Sequence, residues 1–292
     1  MNNKSLLWGG LRLLPQPVLR ATCYAFAKLH HFFDRTHAKE CEDLVEAVVL
    51  PKEVSSKNVI KEMYRQIWLM LPDMVWSSKI SDEDFLSHID GVEELHAYLK
   101  GINENNQGII FVAAHLGSWE LCSQVICALS GVKPAVSLYK PHEYEWVNRL
   151  ILSARLVHGQ DVLSKDGGMI SLFKRLKRGG NVGMVIDQHG GNSGVPSMFL
   201  GRKCKSWDSA AHLAFRTKCP LVPVSLVRTG SRYRMLWGKS IPVIENDAGK
   251  LDIQASVRLI DDQLSSFVAQ YPEQWLWLGK RWGRDPKEVM GL

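Results

Sequence analysis

The sequence lacks any run of 18 or more apolar residues, the length that a membrane-spanning helix needs. In the N-terminal third, charged side chains interrupt every candidate, among them Arg12, Arg20, Lys28 and Arg35. The first apolar run ends at Arg12 and has no small-residue cleavage site, so it does not resemble a secretory signal peptide. We therefore expect no ordinary transmembrane helix and a protein that stays on the cytoplasmic side.

Paired cysteines are also missing. The six cysteines are spread through the chain without a C-x-x-C pair, which excludes the spacing of a disulfide scaffold or a zinc site. The G-x-S-x-G elbow that carries a serine nucleophile is absent as well, which argues against a hydrolase of that type. The sequence thus predicts reduced, buried thiols, no metal site and no bound cofactor.

The overall composition is that of a folded globular protein. Of the 292 residues, 46% are hydrophobic and 23% are charged, which excludes disordered and fibrous classes. This length suits one large α/β domain or two small domains.

The N-terminal segment from residue 6 to residue 33 mixes bulky apolar residues with basic ones. Pro15 and Pro17 divide it into two short segments, because proline inside a helix removes a backbone donor and clashes with the preceding turn. Apolar residues on one face and basic residues on the other suit a helix that lies in the headgroup plane of an anionic membrane. A helix packed on the protein's own core fits the same pattern.

Charge is distributed unevenly along the chain. Residues 1–39 carry a net charge of +5, residues 40–107 a net charge of −8, and residues 165–250 a net charge of +10. A basic tract of this size attracts phosphate groups on nucleic acid, on anionic lipid or on a phosphorylated substrate or carrier, although composition alone favours a solvated positive face. No base-reading motif accompanies the basic residues, so we do not expect a nucleic-acid partner.

The hydrophobic pattern changes near residue 108. Before it, residues 55–75 have apolar side chains at helical spacing; after it, short β-rich runs alternate with helical ones. The predicted strands are 108–114, 132–139, 181–186, 221–227 and 233–237, and the predicted helices between them are 118–129, 143–157, 169–178 and 208–218. This order predicts an α/β fold with a central, mostly parallel sheet flanked by helices. We divide the chain into an N-terminal amphipathic helical region, 1–100, and an α/β catalytic domain, 101–292.

The candidate chemistry lies where the first long strand ends. His115 follows an apolar strand, Leu116 and Gly117 form a turn, and Glu120 lies in the first turn of the next helix. A carboxylate that holds one ring nitrogen fixes the tautomer of a histidine and leaves the other nitrogen as a base. The alternative is structural, with His115 in the core and Glu120 at the positive end of a helix dipole.

Four segments resemble a known family, the late acyltransferases of lipid A biosynthesis (the lauroyl and myristoyl type). This family is part of the larger glycerolipid acyltransferase group, which is defined by the motif H-x-x-x-x-D/E. The segments are AAHLGSWEL, GMVIDQHGG, MFLGRKCKSWDSAAHLAFRTKCPLVPVSLVR and YPEQWLWLGKRW, in the family's order. The resemblance extends, with gaps, from about residue 18 to residue 284.

The resemblance implies roles for particular residues. His115 matches the family's general base and Glu120 its orienting carboxylate, so no acyl-enzyme is expected. Asp187 and Gln188 match a pair after a buried strand that could position the acceptor or brace the turn, although Asp187 could instead cap the Gly-rich turn that follows it. Arg228 matches a basic position where a guanidinium could hold a phosphate, with a surface ion pair as the competing interpretation.

Some positions depart from the family pattern. Lys165 stands where many members have arginine, which keeps the charge but loses the planar fork for phosphate. In the closing signature, Gln274 and Trp277 match, with Lys280 and Arg281 expected at the rim of a structural aromatic cluster. The familiar histidine of that signature is Gly279 here, and the N-terminal segment is less hydrophobic than the family's usual anchor.

The resemblance implies an acyltransferase at the cytoplasmic face of the inner membrane. It would move a fatty acyl chain from an acyl carrier protein thioester, with acyl-CoA as the less favoured donor, to a hydroxyl of a lipid A precursor or related glycolipid. The expected partners are therefore the acyl carrier protein, the glycolipid and an anionic lipid surface. The alternatives are a catalytically silent lipid-binding or membrane-scaffold protein, and acyl transfer to another glycolipid or phospholipid.

Overall fold

A computed structural model describes residues 6–51, 53–103, 107–139, 143–164 and 168–283. Within these ranges the helices are α1 (Leu6–Leu13), α2 (Gln16–Phe33), α3 (Arg35–Glu46), α4 (Ser56–Ser77), α5 (Asp82–Ser87), α6 (Val92–Asn103), α7 (Trp119–Ala128), α8 (Glu145–Arg155), α9 (Gly168–Lys177), α10 (Ser209–Thr217) and α11 (Ile253–Gln270). Two short 3₁₀ turns, Pro272–Gln274 and Trp277–Gly279, follow α11.

The strands form one large sheet and one hairpin. They are β1 (Ile89–Asp90), β2 (Ile110–Ala113), β3 (Ala135–Tyr139), β4 (Asp161–Ser164), β5 (Asn181–Val185), β6 (Val195–Phe199), β7 (Arg202–Ser206), β8 (Leu221–Thr229) and β9 (Arg232–Trp237). The seven-stranded sheet has the order β1-β9-β8-β2-β5-β3-β4, in which only β8 and β9 pair antiparallel. The predicted mostly parallel sheet flanked by helices is confirmed.

Strand β2 lies at the centre of this sheet, between β5 and β8. All four of its residues are buried, because a parallel strand covered by helices on both faces has no solvent side. Ile110 and Val112 join a core that contains residues of α9, α10 and α11, while Phe111 and Ala113 join a second core with residues of α6 and α7. The end of β2 is thus held rigidly in the middle of the fold.

The N-terminal segment forms two helices, as its prolines predict. Chain direction changes at Leu14 and Pro15 between α1 and α2, and Pro17 occupies the first turn of α2. α2 packs on α4, where the ring of Phe26 stacks on that of Trp68 with centroids 5.3 Å apart. Across the described ranges, no helix combines the length and apolar character needed to cross a bilayer.

Three strand features were missing from the sequence prediction. The short β4 lies at the sheet edge, and β1 has only two residues, so neither gives a clear periodic signal. The β6–β7 hairpin carries Lys203 and other polar residues, which hides the alternation of a strand. β1 belongs to the predicted N-terminal region, yet it pairs with β9 through Ile89 and Tyr233.

Candidate active site

His115 lies in a sharp turn between β2 and α7. Gly117 has φ +61°, and a Cβ at this position would collide with the carbonyl oxygen of Leu226 in β8. The turn is fixed by two backbone hydrogen bonds, from Ser118 N to the Leu226 oxygen (2.7 Å) and from Gly117 N to the Gln274 oxygen (2.9 Å). The predicted strand, turn and helix around His115 are therefore present, and glycine is needed at position 117.

The carboxylate that contacts His115 is Asp187. Its Oδ1 lies 2.6 Å from His115 Nδ1, and its Oδ2 accepts a hydrogen bond from the backbone N–H of His115 at 2.9 Å. The third donor is the indole N–H of Trp275, 2.7 Å from Oδ2. Asp187 follows β5, the neighbour of β2, so the parallel strands bring the two residues to the same sheet edge.

Electrostatics couples this pair. Burial disfavours the charged imidazolium, but the attraction of Asp187 and its hydrogen bond outweigh burial and raise the pKa of His115 above its ordinary value of 6.5. Burial also opposes ionisation of Asp187, yet His115 and Trp275 together keep the pKa of its carboxyl below the usual range. The resting pair is thus an ionised carboxylate that receives a hydrogen bond from Nδ1 of the imidazole.

The structure corrects the expected role of Glu120 as the carboxylate that holds His115. Glu120 forms a two-pronged ion pair with Arg155 of α8, with Arg155 Nε 2.7 Å from Oε2 and Nη2 2.5 Å from Oε1. The guanidinium fork of arginine matches both carboxylate oxygens, so both oxygens of Glu120 are occupied by Arg155. Glu120 remains near enough to contribute to the raised pKa of His115.

The structure also corrects the expected roles of Arg228 as a phosphate ligand or surface ion pair. Arg228 is buried, and its Nε donates to Asp73 Oδ2 of α4 (2.6 Å) while Nη1 donates to Gln66 Oε1 (2.6 Å). Ser118 Oγ donates to the same Asp73 oxygen at 2.7 Å and so does not cap α7 as serine often does. Arg228 therefore connects β8 to α4 and, through Asp73, to the turn between β2 and α7.

The remaining predicted site residues have different positions. Gln188 is exposed beside Asp187, and its backbone oxygen accepts a hydrogen bond from Arg281 Nη1 at 3.0 Å. Lys165 lies outside the described residues. Asp187 binds His115 and Trp275, and among the described residues no hydrogen bond joins its side chain to the Gly-rich turn that follows it.

Arg281 lies inside the fold and not at the rim where the sequence placed it. It is 1% exposed, donates to Asp261 Oδ1 at 2.7 Å and to Ser206 Oγ at 2.6 Å, and lies over the ring of Phe199. It connects α11 and β7 with the loop that carries Gln188. The sequence indicated the buried pair of Arg281 and Asp261 only by a basic residue within an aromatic-rich segment.

Trp275 is the site residue that the sequence analysis missed. The closing signature drew attention to Trp277, whose indole donates instead to the Pro272 oxygen at 2.7 Å. Trp275 forms a β-bridge with Leu116, and the backbone of Leu276 donates to the oxygen of His115 at 3.0 Å. Two tryptophans in one apolar segment give no indication of which one reaches the site.

The arrangement suits general acid-base chemistry. With Nδ1 held by Asp187, Nε2 is the nitrogen available for proton transfer, and no hydrogen bond to Nε2 is present among the described residues. The His115 side chain is 20% exposed, whereas Asp187 is 2% exposed, so the base is accessible and its partner is shielded. The described ranges contain no group of three or more metal-ligating side chains.

A histidine held by a buried carboxylate, at the carboxyl edge of a parallel sheet, is an arrangement suited to acid-base chemistry on an α/β scaffold. The family model of bacterial lipid A biosynthesis acyltransferases matches residues 5–284, so the chain belongs to that family. It is therefore an acyltransferase of lipid A biosynthesis. No curated relative matches the sequence.

Proposed function

We propose that the protein transfers a fatty acyl chain from an acyl carrier protein thioester to a hydroxyl of a lipid A precursor, with His115 as general base. The observation that carries this proposal is the 2.6 Å contact between Nδ1 of His115 and Oδ1 of Asp187, within a chain of the lipid A acyltransferase family. The proposed pair is therefore His115 with Asp187, and not His115 with Glu120 as the sequence predicted.

The reaction uses the unpaired ring nitrogen. Nε2 of His115 accepts the proton of the acceptor hydroxyl as its oxygen attacks the thioester carbonyl, and the carboxylate of Asp187 stabilises the imidazolium that forms. Collapse of the tetrahedral intermediate breaks the carbon–sulfur bond, and the departing thiolate takes the proton from Nε2. General base catalysis of this kind contributes about 10² to 10⁴ in rate. The chain supplies no covalent nucleophile in this scheme.

Acceptor phosphates and the acidic carrier protein are the proposed partners of the basic tract. Arg228 does not serve them, because its guanidinium is buried against Asp73 and Gln66. Lys218, another basic residue of this tract, forms a surface ion pair with Glu245 at 2.8 Å. Lys165, which directly follows β4 in the sequence, remains the proposed phosphate contact.

We propose that α1 and α2 rest on the cytoplasmic face of the inner membrane. Several large apolar side chains of these helices stand in solvent, including Leu6 (96% exposed), Leu13 (85%) and Phe33 (78%). Lys28 and Arg35 are exposed beside the apolar residues, and the Arg35 guanidinium lies 4.5 Å from the ring centroid of Phe32. Apolar area with flanking cations fits an anionic lipid surface.

The catalytic proposal is tested with purified protein, acyl carrier protein thioesters and a lipid A precursor, with products identified by mass. We expect one acyl addition, and a loss of about 10² to 10⁴ in rate for His115→Ala. His96→Ala is a control, because His96 is half-buried outside the site and its Nε2 is hydrogen-bonded to the Ser130 oxygen at 2.7 Å. Full activity in a folded His115→Ala protein, or no transfer by the unaltered protein, contradicts the proposal.

The membrane proposal is tested by flotation with vesicles of neutral phosphatidylcholine, with and without anionic phosphatidylglycerol. We expect binding to depend on the anionic lipid and to weaken in Phe32→Asp/Phe33→Asp. Gln254→Asp adds an acidic side chain at an exposed position of α11 and should leave binding unchanged. Equal flotation of all three proteins excludes α2 as the contact surface.

A further inference from the structure

The side chain of Asp187 is held from two directions. Of the three hydrogen-bond donors that it meets in the described part of the chain, two, the backbone N–H and Nδ1 of His115, belong to the residue that it orients. The third donor is the indole N–H of Trp275, at 2.7 Å from Oδ2. Among the described residues, Trp275 is thus the donor that fixes the Asp187 carboxylate independently of His115.

We propose that Trp275 is a positioning residue of the catalytic pair, which holds Asp187 so that Oδ1 faces His115 Nδ1. This inference rests on the proposed function of His115 as the base. It assigns the C-terminal segment a part in catalysis, beyond the aromatic cluster that the sequence suggested.

Trp275 is itself fixed strongly enough to act in this way. Its side chain is 2% exposed and packs edge-on against Trp277 and Trp282, at centroid distances of 4.8 and 5.7 Å. Its backbone is bridged to Leu116, one residue after His115. The indole therefore has one rigid orientation relative to the turn that carries the base, and an aligned donor costs no reorganisation during the reaction.

The dipole of the indole N–H determines the direction in which the pKa of His115 should change when Trp275 is replaced. The positive end of this dipole points at the Asp187 carboxylate, near the ring that becomes cationic in the reaction. Its removal makes the surroundings of His115 more negative and stabilises the imidazolium. The pKa of His115 should then rise, whereas the freed carboxylate should align the ring less well and reduce kcat.

The test compares Trp275→Phe with Trp277→Phe. Trp277 is also buried and also donates its indole N–H, but to the Pro272 oxygen and not to the catalytic pair. For Trp275→Phe we expect kcat to fall about 10- to 100-fold, the range for loss of a hydrogen bond to a charged group. KM should stay within about twofold, because the indole touches no substrate in this scheme. Trp277→Phe keeps an aromatic ring beside Trp275 and removes only the bond to the Pro272 oxygen, so it should lower stability and leave the pH profile in place.

Nitrogen-15 NMR of histidine-labelled protein gives a readout that does not depend on turnover. The His115 signal, assigned with His115→Asn, should titrate at higher pH in Trp275→Phe than in the unaltered protein and in Trp277→Phe. If Trp275→Phe does not fold, benzothienylalanine at position 275 replaces the N–H by sulfur in a ring of the same shape. Unchanged kcat and His115 titration, or equal effects of both phenylalanine variants, would overturn the proposal. Failure of the proposed function alone would abolish transfer in all variants and leave the NMR difference.

Discussion

Oδ1 of Asp187 lies 2.6 Å from Nδ1 of His115, although the two residues are 72 positions apart in the sequence. The carboxylate of the H-x-x-x-x-E motif, Glu120, is instead paired with Arg155. The carboxylate that contacts His115 and the acidic residue of the motif are therefore two different residues.

Asp187→Asn should lower kcat more than Glu120→Gln. The asparagine keeps the shape of the side chain but removes the charge that stabilises the imidazolium, so we expect a loss of about 10² to 10⁴, comparable to loss of the base itself. Glu120→Gln removes a partner of Arg155 and leaves the His115 contact in place. Steady-state kinetics of both variants shows which carboxylate orients His115. A larger loss of kcat in Glu120→Gln contradicts the assignment of Asp187.

The pH dependence of kcat/KM should show an acid limb with an inflection above 6.5. A general base must be neutral to accept a proton, and the folded environment raises the pKa of His115. The rate should therefore increase with pH up to this raised pKa and then level off. In Asp187→Asn the limb should move to lower pH, because the attraction that raised the pKa is gone. An inflection below 6.5 in the unaltered protein would contradict a raised pKa of His115.

Arg281→Met should destabilise the fold by about 3 to 5 kcal/mol, because it leaves the buried carboxyl of Asp261 without its cationic partner. The double variant Arg281→Met/Asp261→Leu removes both charges and should recover part of that loss. Urea unfolding measures the free energies of both proteins. A double variant less stable than Arg281→Met indicates that packing around these side chains, and not the unpaired charge, dominates.

Gly117→Ala should prevent formation of the catalytic turn. The new Cβ collides with the Leu226 oxygen at a backbone φ of +61°, so the turn or β8 has to move. Gly191→Ala is the matched control, since Gly191 has φ +70° but no atom of the described residues lies within 4 Å of a Cβ there. We expect a cost of about 1 kcal/mol for the control and a much larger cost, with loss of acyl transfer, for Gly117→Ala. Similar melting temperatures for both variants would contradict this account.

The sequence predicted those features that depend on local pattern. The strand before His115, the turn at Gly117 and the helix that carries Glu120 follow from an apolar run, a glycine and a helical period within a short stretch. The order of strands and helices likewise predicted the parallel sheet. The two helices on either side of Pro15 follow from the backbone restriction of proline.

The partners of the site residues were beyond such reasoning. From the sequence, Glu120 and Asp187 are equally suitable partners for His115. The pairing of β2 with β5 brings Asp187 next to the histidine. Arg228 finds Asp73 across 155 residues, a contact that no local pattern encodes. Arg228 lies in a strongly basic tract, and the sequence of such a tract does not show that one of its arginines is buried.

The bridge between Leu116 and Trp275 has a consequence for biosynthesis. Position 275 is translated 160 residues after position 115, which takes about 8 to 30 s at typical ribosomal rates. During that interval the nascent chain contains His115 and, once residue 187 has been added, Asp187, but it still lacks the indole of Trp275 that donates to the Asp187 carboxylate. The arrangement of His115, Asp187 and Trp275 therefore cannot be completed until this late part of the chain has been synthesised.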